Sequence, residues 1–143
     1  MAVRIAAGLP VAVVLALAVV GVSLGMLPTD SATVAPTLAV EGDRISLTNR
    51  GGNAVDVGRL TVRVRVDGTP LTHQPPVPFF SARGFHSGPT GPFNAGADPT
   101  WDPGERASFR VASTNRPSVD AGDRVTVELR RGGRRLVTLS VTA

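Results

Sequence analysis

The sequence predicts an all-β fold, an immunoglobulin-like β-sandwich of about seven short strands, behind one N-terminal transmembrane helix. Three observations carry that prediction. Apolar and polar residues alternate along several segments after residue 37. Clusters of Gly, Pro, Asp and Asn interrupt those segments at short intervals, and no helical periodicity develops between them. Ahead of them, the chain from Ile5 to Leu27 is apolar, with no charged residue between Arg4 and Asp30.

As a helix, residues 5–27 would extend roughly 35 Å, slightly more than the ~30 Å of hydrocarbon in a bilayer. Val, Leu and Ile dominate the run, and Pro10 falls near its start, where a missing amide costs least. Arg4 and the amino terminus precede it, whereas Asp30, Glu41 and Asp43 follow. The positive-inside rule then puts residues 1–4 in the cytoplasm, a span at 5–27, a tether at 28–36 and a domain at 37–143 outside the membrane. The lipid bilayer is therefore the first expected partner, through residues 5–27. A cleaved secretory signal is the alternative, with Ser23-Leu24-Gly25 as a small-residue cut site. Gly21 and Gly25 form a G-x-x-x-G pair of the kind that lets two membrane helices approach closely. The same residues match G-x-S-x-G, but a nucleophile elbow needs a strand, a turn and a helix of a large α/β sheet.

The strands follow in order. Thr37 to Val40 and Arg44 to Thr48 flank the turn triplet Glu41-Gly42-Asp43, and Arg50-Gly51-Gly52-Asn53 reads as a second turn. In Arg59 to Val66, Leu60, Val62, Val64 and Val66 alternate with Arg59, Thr61, Arg63 and Arg65. Asp67-Gly68 is a strong hairpin signal, and Pro70 makes the return strand an edge. Regular strands resume at Arg106 to Ala112. Arg124 to Arg130 and Arg134 to Val141 form a last hairpin around Gly132-Gly133, with Val125, Val127 and Leu129 facing Val137, Leu139 and Val141. The expected core is Leu60, Val62, Val64, Phe109, Val127, Leu129 and Leu139. Gly-acid-Arg recurs at Gly42-Asp43-Arg44, Gly104-Glu105-Arg106 and Gly122-Asp123-Arg124, each at the mouth of a strand.

Composition narrows the chemistry. With no Cys there is no disulfide and no thiolate site, so stability must come from packing. Every basic residue is Arg, and the chain carries a net charge of +4. Such a surface attracts anions, yet no aromatic residues interleave with the arginines as a single-strand nucleic-acid groove requires, so nucleic acid is not expected as a partner. His73 and His86 lie in a Pro/Gly-rich segment without metal-ligand spacing, and Asn94, Asp98, Asp102 and Glu105 lack the alternate-position pattern of a calcium loop. No P-loop, dinucleotide fingerprint or zinc-protease motif is present, and no Ser, His and Asp set has support from spacing. The expectation is a non-enzymatic protein with no cofactor.

Residues 73–104 are different material. Five of the six aromatic residues sit there: Phe79, Phe80, Phe85, Phe93 and Trp101. Rings left in water cost about 1.5–3 kcal/mol apiece relative to burial, so they must pack on something. One reading folds Phe79, Phe80 and Trp101 back to close an end of the sandwich. The other leaves an exposed patch, with Phe85 or Phe93 at its tip, that docks on a neighbouring subunit, an envelope protein or the bilayer surface.

Two blocks carry a family likeness. Arg44-Ile-Ser-Leu-Thr-Asn-Arg-Gly-Gly-Asn-Ala-Val-Asp56 is similar to the strand, Gly-Gly turn and Asp segment that follow the hydrophobic helix of archaeal type IV pilins. Phe79-Phe80-Ser-Ala-Arg-Gly-Phe85, Ser87 to Asn94 and Trp101 are similar to a Pro/Gly/aromatic block of a halophile subgroup. The chain thus resembles the small pilin-like membrane proteins of halophilic archaea. That resemblance implies an N-terminal helix that joins a filament core or stays as a membrane anchor, an outer β-domain at the cell surface, and other pilin-like subunits as partners. A membrane-tethered or secreted binding module for an envelope partner is the other function expected of such a chain.

Overall fold

In the computed structural model, which describes residues 34–143, strands follow one another as β1 (Val34–Glu41), β2 (Arg44–Gly52), β3 (Val55–Asp56), β4 (Leu60–Val66), β5 (Thr69–Pro70), β6 (Thr100–Trp101), β7 (Arg106–Arg110), β8 (Arg124–Arg131) and β9 (Arg134–Thr142). Two 3-10 turns, Val57–Arg59 and Gly91–Phe93, are the helical elements among the described residues. The protein is all-β there. Its strands form an antiparallel sheet β1-β2-β7, an antiparallel sheet β5-β4-β8-β9, and a two-stranded ladder β3-β6. β1 also lies alongside β9.

Alternation in the sequence becomes the two faces of each sheet. Along β4, Leu60, Val62, Val64 and Val66 are buried and Thr61, Arg63 and Arg65 exposed. Register sets Val62 opposite Leu129, Val64 opposite Val127 and Val66 opposite Val125. These side chains join Ile45 and Leu47 of β2 and Ala107 and Phe109 of β7 in one buried cluster. Among the described residues this cluster draws on both large sheets.

The hairpins form where the turn chemistry demands. Asp67 and Gly68 have φ of 51° and 84°, and Gly132 and Gly133 have 56° and 83°. Positive φ at both central residues is the type I′ arrangement, whose twist matches that of the strands it joins. Each Gly-acid-Arg triplet leads into a long strand, β2, β7 or β8.

Several boundaries differ from the sequence reading. β1 begins at Val34, not near Thr37, and Val34 and Pro36 are buried members of it. The alternation runs on through Pro36 because an edge strand of its sheet can accept a residue without an amide hydrogen. β2 likewise continues to Gly52, through part of the predicted turn. Leu139, expected in the core, is only partly buried, since β9 pairs with β8 alone at the margin of its sheet. No helix among the described residues is long and apolar enough to cross a membrane. The predicted span 5–27, with Gly21 and Gly25, and the tether as far as residue 33 lie outside the described residues.

Residues 34–143 are expected to fold alone with a β-type circular dichroism spectrum. Leu129 is fully buried, so Leu129→Ala should lower the urea-unfolding free energy by about 2–5 kcal/mol. Thr126, whose hydroxyl meets that of Ser140 at 2.9 Å on the outer face, should lose about 1 kcal/mol or less as Ala. Equal losses at the two positions would contradict the assigned faces.

Candidate functional site

The long segment between β5 and β7 begins and ends on buried asparagines. Asn115 is fully buried. Its carboxamide oxygen accepts from the amides of His73 (3.1 Å) and Arg116 (3.0 Å), while its nitrogen donates to the carbonyls of His73 (2.9 Å) and Gly84 (3.2 Å). Asn49 does the same service at the far end. Its nitrogen donates to the carbonyls of Trp101 (3.2 Å) and Asn53 (3.4 Å), and its backbone bonds to Gly104 and Glu105. Next to the first pin, the Gln74 carboxamide accepts from the Val64 amide (2.7 Å) and donates to the Val64 carbonyl (3.1 Å), standing in for a neighbouring strand along the β4 edge that β5 is too short to cover.

Between the pins the rings converge on Phe109 of β7. Phe85 meets it edge-on at 5.6 Å, Phe93 lies tilted against it at 6.0 Å, Phe79 lies tilted against Phe85 at 5.7 Å, and Trp101 lies 5.7 Å from Phe93. The indole of Trp101 donates to the Glu105 carbonyl at 2.7 Å, so its one polar atom is satisfied inside. The backbone at Gly91 passes so near β7 that a Cβ there would lie 2.3 Å from the Arg106 carbonyl oxygen. Phe85 and Phe93, read from sequence as candidates for an exposed tip, are therefore core. Phe80, expected inside with Phe79 and Trp101, is 61% exposed. Adjacent residues of an extended segment point opposite ways, and Phe79 takes the inward one.

Phe80 stands among exposed Ser81, Arg83, His86 and Ser87, with its carbonyl accepting from the Gly88 amide at 2.8 Å. At His86 this tip meets the β1–β2 turn. Arg110 grips Asp43 with both nitrogens, Nε at 3.0 Å and the terminal nitrogen at 3.1 Å, and His86 Nε2 lies 3.5 Å from the same carboxylate. Hydrogen bonding from Arg110 is the main cause that holds the Asp43 carboxyl below its usual range, against an opposing effect of burial, and Asp43 in turn raises Arg110. A carboxylate held this way is a weak base, which suits a structural clasp better than proton transfer.

Three of the four oxygen-bearing residues of the sequence reading, Asn94, Asp98 and Glu105, bond to amides of the loop itself. Asn94 Oδ1 accepts from the Gly96 amide, Asp98 Oδ1 from Thr100 and Glu105 Oε1 from Asp102. Among the described residues no group of three or more His, Asp or Glu is arranged to hold a metal ion. The site offers contact surface: one exposed ring on a braced tip. Sequence reasoning missed Asn49, Asn115 and Gln74, for which the only local signal was a polar residue beside turn chemistry.

Neither a protein-family model nor a curated protein matches this chain.

Phe85→Ser should destabilise the isolated domain about as much as Trp101→Ala, by about 3–5 kcal/mol, whereas Phe80→Ser should leave its thermal midpoint within a degree or two. A stable Phe85→Ser domain would show that the ring is not core. For Asp43, folding lowers the carboxyl pKa, so the stabilisation it brings is present above the unfolded value and is lost as pH falls through the folded one. The stability difference between wild type and Asp43→Asn should thus be measurable at pH 7 and vanish in strong acid. A difference that grew as pH fell would reverse the assignment.

Proposed function

We propose that this chain is a membrane-anchored, extracytoplasmic protein that works by non-covalent contact, a pilin-like structural or accessory subunit of the archaeal cell surface. The observation that carries this reading is the uncharged run Ile5 to Leu27, with residues 28–33 between it and a β-domain whose two large sheets share one buried cluster. A helix of that length suits an anchor or a filament core. Two sheets around one core, with short hairpins inside each and a braced long loop crossing between them, support an immunoglobulin-like sandwich as the outer domain. The similarity of Arg44 to Asp56 and of the aromatic block to pilin-like segments supports the choice among anchored proteins.

A second reading has one observation in its favour. Phe80 presents a ring to solvent on a tip whose backbone is tied down, and such a tip suits capture of an envelope protein by a static tethered module.

Two measurements on the full chain in its own cells test the proposal. Protease added to intact cells should remove residues 34–143; protection of the domain would sink the orientation. Mass spectrometry of the mature N-terminus then separates the readings: cleavage before the apolar run supports a processed pilin-like subunit, an intact Met1 or Ala2 supports the static module, and a start near Met26 in the medium rejects the anchor.

A further inference from the structure

The hairpin between β8 and β9 reads Arg130-Arg131-Gly132-Gly133-Arg134-Arg135, and its register sets Arg130 opposite Arg135 and Arg131 opposite Arg134. Like charges directly opposite one another on antiparallel strands are destabilising. Glu128, nearly buried, offsets part of this, at 2.8 Å from Arg130 and 3.4 Å from Arg135. Across the sheet Arg63 lies opposite Glu128 in register, exposed on the same face. Residues 34–143 contain fourteen Arg against ten Asp and Glu. Five arginines, Arg63, Arg130, Arg131, Arg134 and Arg135, thus gather on the paired ends of β4, β8 and β9 around one acid, Glu128. Arg130 is engaged with Glu128 and with the Gly133 carbonyl, and Arg135 with Glu128; Arg63 and Arg131 are exposed, and the sign of the patch suits an anionic partner.

The path of the chain indicates which one. Val34 opens β1 opposite Gly52. From Gly52 the chain stays at that end: Asn49 holds Asn53 and Trp101, Val55 pairs with Trp101, and the 3-10 turn Val57–Arg59 delivers Leu60, which pairs with Arg131. The arginine hairpin and the start of β1 therefore share one end of the domain. Only residues 28–33 separate Leu27 from Val34, at most about 25 Å of extended chain, shorter than the roughly 35 Å breadth of a domain this size. If residues 5–27 anchor the chain, a reading on which this inference rests, the arginine end is the one kept within reach of the headgroups. Guanidinium groups pair with phosphate through two parallel hydrogen bonds, and no ring interleaves with these arginines as base stacking would require.

We propose that the hairpin Arg130–Arg135, with Arg63 beside it, docks the domain on the anionic phosphate headgroups of the bilayer that anchors the chain. The domain 34–143, once its β-type circular dichroism spectrum verifies that it folds, allows a direct test by co-sedimentation with vesicles. It should bind vesicles of phosphatidylcholine with about one-third phosphatidylglycerol, ignore phosphatidylcholine alone, and be released by raised salt. Each basic residue near an anionic surface strengthens partitioning about five-fold, so Arg63→Gln/Arg131→Gln should weaken it about 25-fold. The thermal midpoint of that variant should not fall, and Arg83→Gln, outside the patch, should bind as wild type does. Equal binding to neutral vesicles overturns the proposal, as does full binding by the double variant. Binding to a soluble polyanion such as heparin but not to vesicles also overturns it, and would assign the patch to an acidic polymer. Because the fragment lacks the span, vesicle binding is independent of the protease result on cells, and either can fail while the other holds.

Discussion

Two buried carboxamides hold this domain's most unusual segment in place. A run of about thirty residues without long strands has many backbone amides and carbonyls that no ladder pairs, and leaving such groups buried without partners costs roughly 1–3 kcal/mol each. Asn115 and Asn49 supply donors and acceptors at the two ends of the run, and the Gln74 side chain completes the exposed edge of β4. With its ends fixed, the segment between can be irregular and still present the same rings to the same side. Proline residues along it reduce the freedom that the unfolded chain would otherwise lose on folding.

That constraint explains why the aromatic block is core. Phe109 projects from β7 into the space the pinned segment closes, and Phe85, Phe93 and through them Phe79 and Trp101 fill it in edge-to-face and tilted contacts. Aromatic pairs of this geometry contribute about 0.5–1.5 kcal/mol beyond the area they bury. Phe80 is left over, and its exposure is a consequence of Phe79 being taken inside. Two exposed features then lie at separate places on the domain: a ring at the braced tip, and an arginine-rich hairpin at the end where β1 begins.

Charge is distributed by the same logic. Asp43 and Arg110 lock the β1–β2 turn to β7, and Asp67, beyond its role in the turn, accepts the Arg124 amide at 2.9 Å. Most acids are thus committed to turns and loop amides, which leaves the arginines of the β8–β9 hairpin as the place where positive charge gathers.

The sequence by itself determined the all-β class, alternating faces such as that of β4, and the type I′ turns, because a period of two and a pair of residues tolerant of positive φ are local properties that need no partner to be read. It also determined the uncharged run at residues 5–27 and the cluster Arg130 to Arg135. Only the tertiary structure decided that β1 starts at Val34, that Leu139 lies at a margin, and that Phe85 and Phe93 are inside while Phe80 is out. It alone gave Asn49, Asn115 and Gln74 their roles, and brought the arginine hairpin to the same end as the start of β1. Each of these depends on which residue from elsewhere in the chain occupies the adjoining space, and the identity of that neighbour is set by the packing of sheets rather than by any pattern along one strand.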